Sequence, residues 1–141
     1  DGKMETIEEK QRELIEVYNG LDDLLMQYEF LLQLAGETPV PEERDDSSRI
    51  KNCQTDSWLI MHEENGRFFL QVDSDSLLIR GVLSVYVYLL DGRPLEEIIH
   101  TPLRFMEETT INQQMTGSRF SVLARIPEMI YQFCQKKVCE A

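Results

Sequence analysis

Positive charge is scarce in this chain. Fourteen Lys and Arg stand against 26 Asp and Glu, giving a formal net charge of −12 over 141 residues. Nucleic acid and anionic membrane both demand clustered cations, so neither is an expected partner. Cysteine is scarce as well. The three present are an odd number and form no CxxC pair, which argues against a secreted disulfide framework and for reduced thiols in a cytoplasmic setting. With two histidines and no short-spaced Cys/His cluster, no metal site is expected. Long apolar runs are missing too. The longest, Leu77 to Leu90, is short and is interrupted by Arg80, Gly81 and Ser84, so it is not expected to span a membrane. The opening Asp1-Gly2-Lys3-Met4 is polar and lacks the apolar run of a signal peptide.

What the chain does have is an ordinary globular balance, 42% hydrophobic and 28% charged. Its length fits one domain, taken here as residues 1–141. Thr6 followed by Glu9 reads as a capping box opening a helix. Leu14, Tyr18, Leu21, Leu25, Tyr28 and Leu32 then recur at spacings of three and four, the period of one helical face. Asn19-Gly20 interrupts that pattern, so two helices near 6–19 and 21–35 are expected, ending at Gly36, with one kinked helix as the alternative.

Residues 37–52 carry Pro39, Pro41 and a run of charged and small side chains without apolar period, an exposed connecting loop. Trp58 to His62 and Phe68 to Val72 read as strands. Asn65-Gly66 between them predicts a type I′ hairpin turn. Asp73-Ser74-Asp75 offers capping side chains for a helix over Leu77 to Leu90. A turn at Asp91-Gly92-Arg93-Pro94 leads to a short helix from Leu95 to Ile99. Thr116 can cap a last helix running toward Lys137, kinked where Pro127 removes a backbone donor. Helices, a hairpin, then helices again predict an α+β fold, a small antiparallel sheet with helices packed on one face.

The chemistry centres on cysteine, whose thiolate is a nucleophile with a reactivity set by its surroundings. Cys134 and Cys139 lie five residues apart in the last helical pattern. Five helical steps turn roughly 140° from the starting face, so they make a poor metal pair. Cys134, beside Phe133 and one turn from Ile130, reads as a small core residue. Cys53 differs, because it sits where a polar loop turns into a strand. Asn52 before it tolerates a left-handed conformation that would present the thiol at a loop tip. Position alone leaves a structural Cys53 open. Paired with His62 or His100 it would be a hydrolase nucleophile. Asp73 and Asp75 read most simply as helix caps, Arg119 as a solvated cation and Trp58 as a core residue.

The segment Ser48-Arg49-Ile50-Lys51-Asn52-Cys53-Gln54-Thr55-Asp56-Ser57-Trp58-Leu59 resembles the active-site loop of the SufE and CsdE sulfur acceptors. The likeness continues in order: Asp73-Ser74-Asp75-Ser76 for that family's Asp-Ser-Asp-Ala, Arg80-Gly81-Val82-Leu83 for its Lys-Gly-Leu-Ile, and Thr116-Gly117-Ser118-Arg119 for its Thr-Pro-Ser-Arg. Asn52 replaces the family's Gly, Thr55 its Ser and Gly117 its Pro. Ser121-Val122 stands where Asn-Gly or Gln-Gly is usual, and Pro127 falls within a normally uninterrupted helix.

The resemblance implies a SufE/IscU-like fold and a sulfur carrier. Cys53 would take persulfide sulfur from a pyridoxal-phosphate cysteine desulfurase of the SufS or CsdA kind, stimulate that enzyme and deliver the sulfur to an Fe–S scaffold. No cofactor would be needed on the carrier itself. A sheltered apolar pocket would protect the persulfide. Lys51, Asn52, Gln54, Asp73, Asp75 and Arg119 become candidate partner contacts. A non-catalytic adapter that keeps the fold and binds the same partner is the rival from a different class.

Overall fold

The computed structural model describes residues 5–140; the opening Asp1–Met4, read above as lacking a signal sequence, lies outside them. Helix α1 spans Ile7–Asn19, and Thr6 caps it in a capping box with Glu9. Its buried stripe is Ile7, Gln11, Leu14, Ile15 and Tyr18. Gly20 closes it by donating its N–H to the carbonyls of Glu16 and Val17. Helix α2 then spans Leu24–Glu37 and starts later than the apolar pattern suggested, because Asp23 caps it by accepting from the Met26 N–H. The break resets the helical phase. Leu25 and Leu32, expected on the buried face, are 66% and 43% exposed, and Gln27, Leu31 and Ala35 face inward instead. Gly36 does not end α2. Thr38 does, bonding its hydroxyl back to the Leu34 carbonyl just before Pro39.

Strands β1, Ser57–Glu64, and β2, Arg67–Ser74, pair antiparallel with Trp58 opposite Asp73 and Glu64 opposite Arg67. Asn65 and Gly66 both have positive φ, 54° and 79°, as a type I′ turn requires. Leu59, Phe68, Leu70 and Val72 point to the core, while His62, Phe69 and Gln71 face solvent. Helix α3, Leu77–Leu90, lies on that core face and is buried along most of its length, so its sequence reads apolar on all sides. Ser76, rather than Asp73 or Asp75, caps it through the Ile79 N–H. Next come α4, Leu95–Ile99, and two single-turn helices, α5, Phe105–Glu108, and α6, Ile111–Gln114. A 3₁₀ segment, Ser118–Arg125, leads into α7, Ile126–Glu140.

Pro127 kinks nothing. It stands in the first turn of α7, where a helix leaves its N–H groups without internal partners and a missing donor costs nothing. The turn ahead of it is 3₁₀, so the continuous helix expected from Thr116 is two elements. With its seven helices and two-stranded antiparallel sheet among the described residues, the fold is α+β, as expected.

Helices α2 and α3 approach each other closely at Gly81. A Cβ on Gly81 would stand 2.5 Å from the backbone oxygen and 2.9 Å from the carbonyl carbon of Leu31. Backbone cannot swing aside as a flexible side chain can. Gly81→Ala is therefore expected to lose about 2 kcal/mol of stability, the clash outweighing the gain in helix propensity. A urea midpoint raised above that of the native chain would contradict this packing.

Candidate functional site

Cys53 sits in a tight loop whose base is fixed. Ile50, 2% exposed, donates its N–H to the Ser57 carbonyl at 2.8 Å, and Asp75 donates its N–H to the Asp56 carbonyl at 2.9 Å. Ser57 Oγ reaches Ser74 Oγ at 2.9 Å, which stitches the loop's exit to the end of β2. Between these anchors the chain reverses at Asn52, whose φ is 57°. Only glycine and a few short polar residues take that conformation at modest cost, so Asn52 can serve where the related pattern has Gly. The turn leaves Lys51, Asn52 and Gln54 exposed and folds Cys53, half-buried, against the rim of the core. The Cys53 thiol donates to the Thr55 carbonyl at 2.7 Å. A thiolate has no proton to donate, so ionisation must break this contact.

The other two cysteines are placed differently. Cys134 is fully buried in α7, and burial pushes its thiol up to about 11. Cys139 is exposed near the end of α7. The histidines are also elsewhere engaged. His62 is two-thirds exposed on the solvent face of β1 beside Glu64, and His100 bonds through Nδ1 to the Glu96 carbonyl at 2.7 Å. Among the described residues no histidine is hydrogen-bonded to Cys53. The pairing that a hydrolase would need is absent there.

Around the loop stand two further segments. The 3₁₀ segment lies against its tip: Ser118 Oγ donates to Gln54 Oε1 at 2.8 Å, and Arg125 Nη2 donates to the Asn52 carbonyl at 3.4 Å. Arg119 projects from this segment into solvent, its guanidinium 4.9 Å from the Phe120 ring centre. On the other side lies an ion-pair cluster. Asp73, named above as a partner contact, is only 6% exposed and held between two arginines, Arg44 at 2.9 Å and Arg80 at 3.1 Å, so it is not free to meet a partner. Burial opposes ionisation of Asp73, but the hydrogen bonds from Arg44 and Ser74 and the charges of both arginines outweigh it and lower its pKa. Asp75, half exposed, takes the other arm of Arg44 at 2.8 Å.

Lys51, Asn52 and Gln54 thus flank Cys53 in the loop, Arg119 follows Ser118, which bonds to the loop's tip, Asp75 lies at the loop's base, and Asp73 is a structural member of the cluster. Two arginines to which the sequence assigned no role at the site complete it. Arg44 lies in the stretch read only as exposed loop, yet it clamps two aspartates and stacks 4.2 Å from the Trp58 ring centre. Arg80 closes the C-terminal end of α2 by donating to the carbonyls of Ala35, Thr38 and Pro39. Neither position follows an apolar period; the signals available for Arg80 were an arginine inside an apolar helix and its place in the Arg80-Gly81-Val82-Leu83 likeness.

Three clefts open away from this loop. One of about 610 Å³ lies between the α4–α5 connection and α7, one of about 410 Å³ between the end of α2 and the hairpin, and one of about 230 Å³ between α1 and α2. No cluster of three or more His, Cys, Asp or Glu that could hold a metal, and no helix long and apolar enough to cross a membrane, occurs among the described residues.

Residues 12–134 match the family model described as SufE, Fe-S metabolism associated domain. Among solved structures, the solution structure of a hypothetical protein from Thermus thermophilus is similar to this chain with a TM-score of 0.76, covering 92% of this chain and 96% of that one. At 18% sequence identity that likeness bears on the fold alone.

Proposed function

The chain belongs to the SufE family of Fe–S metabolism associated domains, and from that premise we propose that it is a sulfur acceptor that takes persulfide sulfur from a cysteine desulfurase onto Cys53 and passes it toward iron–sulfur cluster assembly. The observation that carries this reading is the setting of Cys53: a half-buried thiol on a loop that is anchored at its base, with no catalytic base bonded to it among the described residues. A hydrolase needs a bonded base to activate its nucleophile. Transfer of sulfur between thiols needs only a thiolate that can reach the donor.

The step is an exchange. The Cys53 thiolate attacks the outer sulfur of the partner's cysteine persulfide. A new sulfur–sulfur bond forms on Cys53, the old one breaks, and the electron pair of the broken bond stays on the partner's cysteine as thiolate. The proton released by Cys53 goes to solvent, and no oxidant or reductant is consumed. Leaving the Thr55 carbonyl frees the sulfur both to ionise and to move outward. The three unpaired cysteines accord with a reducing compartment such as the cytoplasm.

The loop's border supports docking through cations. Lys51, Arg119 and Arg125 are grouped there and make no ion pair among the described residues, although the chain as a whole carries −12. This local grouping fits acidic groups on the desulfurase beside its persulfide. Adding the protein to a desulfurase with cysteine is expected to raise turnover saturably. Arg119→Ala is expected to weaken that stimulation, and added salt to slow association. Unchanged turnover on adding the native protein would remove the acceptor reading; stimulation indifferent to Arg119 and to salt would remove the docking face alone.

A further inference from the structure

The cysteine loop is held at two levels. Its base is fixed by the backbone bonds of Ile50 and Asp75. Its tip is held otherwise. Among the described residues, just two hydrogen bonds join positions 51–54 to another segment, and they fall on the residues immediately flanking Cys53: Ser118 to Gln54 and Arg125 to Asn52. Both donors belong to one element, the 3₁₀ segment, and stand at its two ends.

That element is itself immobilised. Val122 and Leu123 in its middle are 0% and 2% exposed, and Ile126 just beyond is fully buried. Gly117 enters it at φ 99°, a conformation that side-chain-bearing residues rarely adopt. Its eight residues exceed the three or four usual for a 3₁₀ run. The tighter winding has a geometric consequence. At roughly 2.0 Å rise per residue, Ser118 and Arg125 stand about 14 Å apart along the axis, against about 10 Å in an α-helix. The stretched spacing lets one element reach over a reversed loop and grip it on both sides of the thiol.

We infer that Ser118–Arg125 is a fixed clasp that holds the Cys53 loop in its sheltered position, with Ser118 and Arg125 as positioning residues whose release lets the thiol swing out to a partner. The inference rests on the reading of Cys53 as the sulfur-carrying thiol, and it adds what restrains that thiol at rest. Each bond is exposed and weak on its own, so the closed loop is favoured only modestly and a docking partner that competes for Asn52 and Gln54 can open it.

The test uses alkylation of the full chain by iodoacetamide, read cysteine by cysteine by peptide mass spectrometry. It needs no desulfurase, so its outcome is independent of whether sulfur transfer occurs. Buried Cys134 serves as an internal reference for any general loosening. In the double variant Ser118→Ala, Arg125→Ala the rate at Cys53 relative to Cys134 is expected to rise roughly five- to tenfold. Ser118→Thr, which keeps the hydroxyl, is expected to stay near the native ratio. Amide hydrogen exchange at residues 51–54 is expected to quicken in the double variant while α3 is unaffected. A native ratio in the double variant, or a rise at Cys134 equal to that at Cys53, would overturn the clasp.

Discussion

Cys53→Ser is expected to reduce sulfur acceptance from a desulfurase to background, while Cys134→Ser and Cys139→Ser retain most of it. The effect is all-or-none because a serine oxygen neither ionises near neutral pH nor forms a stable bond to sulfane sulfur. Cys53 is the cysteine placed on a loop with room to move. Cys134 is locked in the core with its thiol pushed up to about 11, so almost none of it is thiolate near neutrality. Cys139 is accessible, but it sits near the end of a helix with no loop to carry it into a partner's site. Labelled sulfur from cysteine, followed onto the protein in all three variants, measures this directly. Full labelling of Cys53→Ser would place the acceptor elsewhere.

Arg80→Met is expected to cost about 3 kcal/mol of stability, a sizeable fraction of the total for a chain of this length. Arg80 is 4% exposed and has four acceptors: the carbonyls of Ala35, Thr38 and Pro39, and Asp73. Methionine fills similar space but takes the guanidinium donors from the part-buried Thr38 and Pro39 carbonyls, leaves the buried Ala35 carbonyl with the Thr38 N–H alone, and leaves Asp73 with Arg44 and the Ser74 N–H. The damage should propagate to the cysteine loop, because Asp73 lies at the end of β2 next to Ser74, which the loop's exit grips. Arg80→Lys keeps the charge but lacks the planar fork needed to serve several acceptors, and an intermediate loss is expected. Urea unfolding of the two variants decides the point. A loss under about 1 kcal/mol in Arg80→Met would mean that this cluster is not what closes α2.

Much of this architecture was legible from residues alone. The hairpin turn was unambiguous because Asn65-Gly66 is nearly confined to one turn type. Helix α3 was readable because fourteen residues are too long for a typical strand. The first helices were harder: an apolar pattern that runs through a break keeps its spacing in sequence but not its phase in space, so Leu25 and Leu32 face solvent. Helices α5 and α6 are single turns, shorter than any period that could announce them. Pro127 misled because a proline in a first turn and one in mid-helix differ only in where the helix begins. At the site, the likeness around Cys53 pointed to the candidate loop, yet it could not separate candidate partner contacts from scaffolding. Asp73 belongs to the scaffold because two arginines converge on it from segments 29 positions before and 7 positions after it in sequence, a meeting that no local pattern records.

The central claim is that Cys53 receives the sulfur. The most direct measurement is mass spectrometry of the native protein after brief incubation with a pyridoxal-phosphate cysteine desulfurase and cysteine, with free thiols trapped before digestion. The account predicts a gain of one sulfur atom on the peptide that carries Cys53, reversed by a reductant and absent without the desulfurase. A protein that binds and stimulates the desulfurase while that peptide keeps its original mass would contradict it and leave the chain an adapter.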